Sequence, residues 1–166
     1  MVACNTASAL ALPALQSEFQ VQILGVILPG SKAAVHATRN KHVGVIGTIA
    51  TINSNAYSQA LNEIDSSIQI TAQAWPLFVP LVEEGWLKGP VPSEVTASYL
   101  KSINVANVDT LILGCTHYPL LKPMIQEHVN DNTVLIDSAE TVAEEASTIL
   151  LEKKMLADSN NKGLLK

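Results

Sequence analysis

The chain has 166 residues, 48 % hydrophobic and 15 % charged, with a formal net charge of −5. This is enough apolar material for a packed core and too much for a disordered chain, and the scattered basic residues exclude the basic face that nucleic acid demands. No apolar run reaches about 18 residues, so no membrane span is expected, and the opening residues do not read as a secretory signal, so a cytoplasmic chain is expected.

Apolar runs alternate with helical patterns, the signature of a parallel α/β sheet. Residues 1–4 resemble the stump of a strand, and a helix is expected over 7–18. A strand over 21–27 precedes a helix over 31–39, a strand over 42–46 and a helix over 53–64. Next come a strand over 68–72, a helix over 77–84 and a helix over 93–103. Ser93 follows Pro90-Val91-Pro92 and suits the N-cap of that helix. A strand over 110–113, a helix over 120–129 and a strand over 133–136 complete the alternation. The last helix, over 139–155, opens on Asp137 with Glu140 three residues later, the pattern of a capping box. Its Val142, Ala143, Ala146, Ile149 and Leu150 share one face, so it packs on something. Residues 157–166 are polar and expected to fray. A strand that reaches its functional end by residue 4 is too short for a central strand, and this opening reads as the downstream part of a longer protein.

The chemistry concentrates in two matching segments, Ala3-Cys4-Asn5-Thr6-Ala7 and Gly114-Cys115-Thr116-His117-Tyr118-Pro119-Leu120-Leu121. Each sets a small residue, a cysteine and polar side chains at the end of a hydrophobic run, where a helix should begin. Cys4 and Cys115 are the only cysteines of the chain. A free thiol titrates near ~8.5, and only its thiolate is a good base. A helix N-terminus stabilises the anion, so both thiols are expected to be activated. The same N–H groups, with Asn5, Thr6, Thr116 and His117, suit a carboxylate, and open α/β sheets bind ligands at the carboxyl ends of their strands. No cysteine or histidine cluster has metal-ligand spacing, so no metal is expected. Phosphate-loop and dinucleotide fingerprints are also lacking.

These segments resemble the two signature segments of the glutamate racemases, a branch of the cofactor-independent aspartate/glutamate racemases. The likeness continues between them. Val45-Ile46-Gly47-Thr48-Ile49-Ala50-Thr51, with Ser54 and Tyr57, resembles the family's GT-x-x-T segment. Pro76-Leu77-Phe78-Val79-Pro80-Leu81-Val82-Glu83 resembles its P-x-F-V-P-L-V-E segment. The resemblance implies that Cys4 and Cys115 are two bases on opposite faces of the substrate Cα, exchanging roles with the enantiomer bound. It implies that Asn5, Thr6, Thr116 and His117 hold the substrate's charged groups, that His117 assists Cys115, and that Glu83 helps nearby. Thr48 is a further carboxylate contact. No cofactor is implied, the partner is the small molecule glutamate, and a homodimer stays open. D-glutamate points to peptidoglycan synthesis. Two departures stand out. Trp75 replaces a common cysteine before Pro76, and the family's D-S-G and P-Y-G segments, which support the first cysteine and bind substrate, have no counterpart here.

The implied fold is two pseudo-symmetric α/β lobes with parallel sheets flanked by helices and the site in the cleft between them. One lobe spans 28–137 and carries Cys115. The other, incomplete, joins 1–27 to 138–166 and carries Cys4; it should leave apolar surface uncovered, lowering stability and promoting self-association. Plainer readings stand beside these. Asn5, Thr6, Thr48 and Thr51 suit helix caps, Glu83 beside Glu84 suits a solvated helix end, and His36, His42 and His128 read as ordinary surface or packing residues. Two other functions also fit: an aspartate or other amino-acid racemase, which His117-Tyr118 disfavours, and a catalytically dead fragment that only binds a dicarboxylate or partner.

Overall fold

In the computed structural model, which describes residues 1–105 and 107–157, helices and strands alternate along the chain. The order is α1 (Asn5–Leu10), α2 (Leu12–Glu18), α3 (Ile27–Ala37), β1 (His42–Gly47), α4 (Ile49–Asn53), α5 (Ala56–Ile64), β2 (Gln69–Ala74) and α6 (Phe78–Glu83). It continues with α7 (Pro90–Val105), β3 (Thr110–Gly114), a 3-10 turn (Tyr118–Leu121), α8 (Lys122–Gln126), β4 (Val134–Asp137) and α9 (Ser138–Glu152). The strands form one four-stranded sheet in the order β2-β1-β3-β4. All pairings are parallel, with Val45 opposite both Ala72 and Ile112, and Ile112 opposite Ile136.

A parallel sheet covered on both faces needs strands that are apolar on both sides, and β3, Thr-Leu-Ile-Leu-Gly, is buried throughout. Alternation divides the core into two layers. Ile46, Leu111 and Leu113 pack with Phe78 and Leu81 of α6, Leu100 and Ile103 of α7, and Ile125 of α8. On the opposite face Val43, Val45, Ile112 and Ile136 meet Ile27 and Ala34 of α3 and Tyr57 and Leu61 of α5. Helix α9 lies against α3, and α1 against α4. Because the strands are parallel, Thr48, Trp75, Cys115 and Ser138 all follow the carboxyl ends of their strands on one side of the sheet.

The α/β architecture and its parallel sheet follow the sequence reading, with four local corrections. Residues 21–27 are not a strand. Among the described residues their only sheet-like contact is the isolated bridge Val2–Gly25, with Val2 N–H donating to Leu24 O at 2.7 Å, and Val21 is 70 % exposed. A β-prone run without a ladder partner stays irregular. Ser93 does not cap α7. The helix starts at Pro90, where a missing N–H costs nothing, and the Ser93 hydroxyl instead lies 2.9 Å from His128 Nε2. The capping box ahead of α9 is half formed. Asp137 accepts from Ala139 N–H at 2.8 Å, whereas Glu140 turns toward Lys122 at 3.5 Å. On α9 itself Val142 is buried while Ala143 and Leu150 are exposed. The fraying expected beyond Ala157 lies outside the described residues.

Candidate active site

Cys115 stands just past β3. Its carbonyl accepts from Tyr118 N–H at 3.1 Å, and the Tyr118 side chain is buried against Phe78 with ring centroids 5.3 Å apart and donates to Trp75 O at 2.9 Å. Trp75 thus has a packing role, stacked on Tyr99 at 5.2 Å. Cys115 Sγ lies 3.7 Å from His117 Nδ1. On the far edge of that imidazole, His117 Nε2 meets Glu83 Oε1 at 3.3 Å. Thr116 is exposed, with its hydroxyl 3.4 Å from the same Nδ1. Glu83, His117 and Cys115 therefore form a carboxylate–imidazole–thiol line, in which the acid orients the ring and the ring can exchange a proton with sulfur.

Cys4 is exposed and occupies the N-cap of α1 without making a side-chain capping bond. Thr6 brings its hydroxyl to 2.9 Å from both Thr48 Oγ1 and Thr51 Oγ1, which are 3.0 Å from each other. Thr48 also caps α4 by accepting from Thr51 N–H at 3.1 Å. Thr51 is buried beneath this group, so the Thr6 and Thr48 hydroxyls are the ones able to donate to a carboxylate. Asn5 does not open onto this surface. It is buried, its Oδ1 accepts from Tyr57 at 2.6 Å, and its Nδ2 donates to Ser138 Oγ at 3.2 Å.

The expected activation of Cys115 by a helix N-terminus is corrected by burial. Desolvation pushes its thiol above the usual value and a charge on Cys4 adds to the rise; N–H groups of His117 and Tyr118 and the Thr116 hydroxyl pull it down without winning. The short 3-10 turn after Cys115 offers little of a helix's dipole. Cys115, Thr116, His117 and Glu83 form one cluster, and Cys4, Thr6 and Thr48 the other. Thr51, Tyr57 and Ser138 are additions to the sequence-based site. The first two sit in the segment already singled out, and Ser138 announces itself only as the polar residue beyond Asp137 at a strand end. Among the described residues no three His, Cys, Asp or Glu side chains converge as metal ligands, and no helix is long and apolar enough to cross a membrane.

The residues thus give a parallel α/β sheet with one thiol in a carboxylate–imidazole line and another at a helix N-cap, and comparison with known proteins specifies the family. The chain belongs to the Asp/Glu/Hydantoin racemase family, whose model matches residues 1–146. It is 46 % identical over 163 residues to a glutamate racemase of Geobacter metallireducens, covering 98 % of this chain and 60 % of that protein. The glutamate racemase of Oceanobacillus iheyensis is 50 % identical over 151 residues, covering 90 % of this chain and 55 % of its own. Among solved structures, glutamate racemase isoform RacE1 of Bacillus anthracis superposes with a TM-score of 0.91 at 41 % identity, over 95 % of this chain and 59 % of that one. Glutamate racemase of Francisella tularensis, solved with D-glutamate, gives 0.87 at 34 % identity, over 95 % and 59 %. The chain thus spans less than two thirds of the length of these relatives.

Proposed function

We propose that this chain carries the two acid–base thiols of a glutamate racemase, interconverting L- and D-glutamate at Cα without a cofactor. The observation that carries the reading is the Cys115–His117–Glu83 line, with Sγ 3.7 Å from Nδ1 and Nε2 3.3 Å from Oε1, at the carboxyl end of a sheet whose β1 end meets the Thr6 hydroxyl two residues beyond Cys4. One thiolate removes the Cα proton, leaving the electron pair delocalised into the neighbouring carboxylate. The opposite thiol then gives its proton to the other face, so the protein's proton count is unchanged and the protonation of the pair is reversed. A buried Cys115 whose thiol holds its proton suits the donor half. His117, oriented by Glu83, takes that proton when Cys115 must act as base.

Thr6 and Thr48, backed by buried Thr51, would receive one substrate carboxylate, and Thr116 with His117 would hold charged groups beside Cys115. Such preorganised donors are what a weak carbon acid requires, because the developing carbanion must be stabilised where it forms. Asn5 acts one step back, anchoring Cys4. The two-lobe division goes with this reading. Residues 28–137 hold the sheet β1–β4 and Cys115, while 1–27, which carry Cys4, and the described residues from Ser138 onward would belong to the other lobe. A cytoplasmic location and a role in supplying D-glutamate for peptidoglycan belong to the same proposal.

The test is deuterium wash-in at Cα in heavy water, followed for both glutamate enantiomers with the wild-type chain, Cys4→Ser and Cys115→Ser. Wild type should incorporate deuterium, and each variant should lose interconversion. Retention of racemisation by both variants would sink the two-thiol assignment. The shared-length gap favours a second reading, in which the chain alone binds a dicarboxylate without turnover. Glutamate protection of Cys4 from alkylation, with no wash-in, is its signature. An aspartate preference in a substrate panel would move the specificity within the family.

A further inference from the structure

One side chain touches both halves of the candidate site. The Tyr57 ring lies against Gly114, where an added Cβ would stand 3.2 Å from Cε2, and Gly114 directly precedes Cys115. The Tyr57 hydroxyl donates to Asn5 Oδ1 at 2.6 Å, and Asn5 directly follows Cys4. From there Asn5 Nδ2 donates to Ser138 Oγ at 3.2 Å, and Ser138 donates to Leu113 O at 3.4 Å. The chain of bonds therefore starts and ends at the carboxyl end of β3 and passes through the residue beside Cys4.

Tyr57, Asn5 and Ser138 are 3 %, 1 % and 2 % exposed, so water does not replace a lost partner and each bond is costly to break. The donors run in one sense from Tyr57 to Leu113. Burial, reinforced by charge on Cys115, holds the Tyr57 hydroxyl well above its ordinary range, so it remains a donor. Helix α1 has only six residues and no side-chain cap. So short a helix does not hold itself rigid, and its attachments to the sheet decide where Cys4 points.

We propose that Tyr57 and Ser138 are positioning residues that, through Asn5, set the spacing and facing of the Cys4 and Cys115 thiols. The inference rests on the reading of these thiols as an acid–base pair. The full chain is treated with a bis-bromomethyl reagent that bridges neighbouring thiols, each thiolate displacing one bromide and each thiol proton passing to buffer. Intramolecular bridging is followed by mass, with Cys4→Ser and Cys115→Ser as blanks, and alkylation of Cys4 by iodoacetamide is measured in parallel. Wild type should bridge. Tyr57→Phe and Ser138→Ala should bridge about fivefold or more slowly, as expected when one buried hydrogen bond is lost. Cys4 alkylation by the single-ended reagent should change less than about twofold, since its exposure is untouched, and Ser138→Thr should recover part of the bridging rate. Wild-type bridging rates in both Tyr57→Phe and Ser138→Ala would overturn the positioning role while leaving the thiol pair intact. No bridging in wild type would overturn the pairing itself, and the positioning with it. If Tyr57→Phe fails to fold, Ser138→Ala with its threonine rescue decides alone; collapse of both overturns the proposal in favour of a purely structural role.

Discussion

Replacing Gly114 by alanine tests how tightly the two central strands are drawn together beneath Cys115. An ideal Cβ there would lie 2.6 Å from Ile46 O and 3.2 Å from Tyr57 Cε2. The first obstacle is backbone of the paired strand β1, so it cannot rotate away. Overpacking of this kind costs about 1–3 kcal/mol. The unfolded chain loses freedom on gaining a Cβ, which returns about 0.4–1 kcal/mol. The net expectation is destabilisation by about 1–2 kcal/mol. Gly44→Ala is the control, because its nearest obstacles are the side-chain ends Leu111 Cδ1 at 2.7 Å and Val108 Cγ1 at 3.0 Å. Side-chain ends can give way, so this variant should lose less. Urea unfolding followed by the fluorescence of buried Trp75 reads both, as a midpoint shift at constant slope. A Gly114→Ala protein as stable as wild type, or less affected than Gly44→Ala, would refute the argument.

Cys4 should be alkylated first and Cys115 slowly, with the Cys115 rate still climbing above the usual thiol range because burial holds its proton; peptide mapping across a pH series reads the order, and equal rates at neutral pH would contradict it. Asp109 ties the turn after α3 to the start of β3 by accepting from Thr38 Oγ1 at 2.6 Å, Arg39 N at 2.7 Å, Asn40 N at 2.8 Å and Thr110 Oγ1 at 3.1 Å. Burial alone would raise its carboxyl, but these donors outweigh it and hold the value down. Its stabilisation is therefore present above the unfolded carboxyl value and is lost as pH falls through the depressed folded value. Asp109→Ala should cost about 1 kcal/mol at neutral pH, solvent screening discounting bonds to a half-exposed carboxylate, and flatten the acid limb of the stability profile measured by urea titration. Met1, Val21, Leu24, Ile149, Leu150 and Met155 line an apolar groove of about 440 Å³, and Val21→Lys with Leu150→Glu should shift any self-association seen by sedimentation toward monomer.

Much of the fold was legible because its signals are local. The run Thr110 to Gly114 is apolar on both faces, which only a doubly covered parallel strand requires, and Asp137 caps the helix it precedes. The strand expected over 21–27 failed for the opposite reason. Its residues favour extended backbone, but a strand exists only through a partner, and the neighbour here offers a single bridge at Val2.

The sequence by itself determined which groups are candidates: two cysteines in matched settings, with Thr6, Thr48, Thr116, His117 and Glu83 in segments that resemble those of a known family. It could not reveal that Asn5 turns inward, because which face of α1 is buried depends on what packs against it. Nor could it set the state of Cys115. The residues around that thiol promise activation by local N–H groups, yet the layer of α6, α7 and α8 removes it from water, and desolvation acts through the whole surrounding volume. The Tyr57–Asn5–Ser138 chain is likewise a product of tertiary structure alone, since it joins three side chains far apart in sequence whose hydrogen bonds exist only after the sheet has brought their elements together.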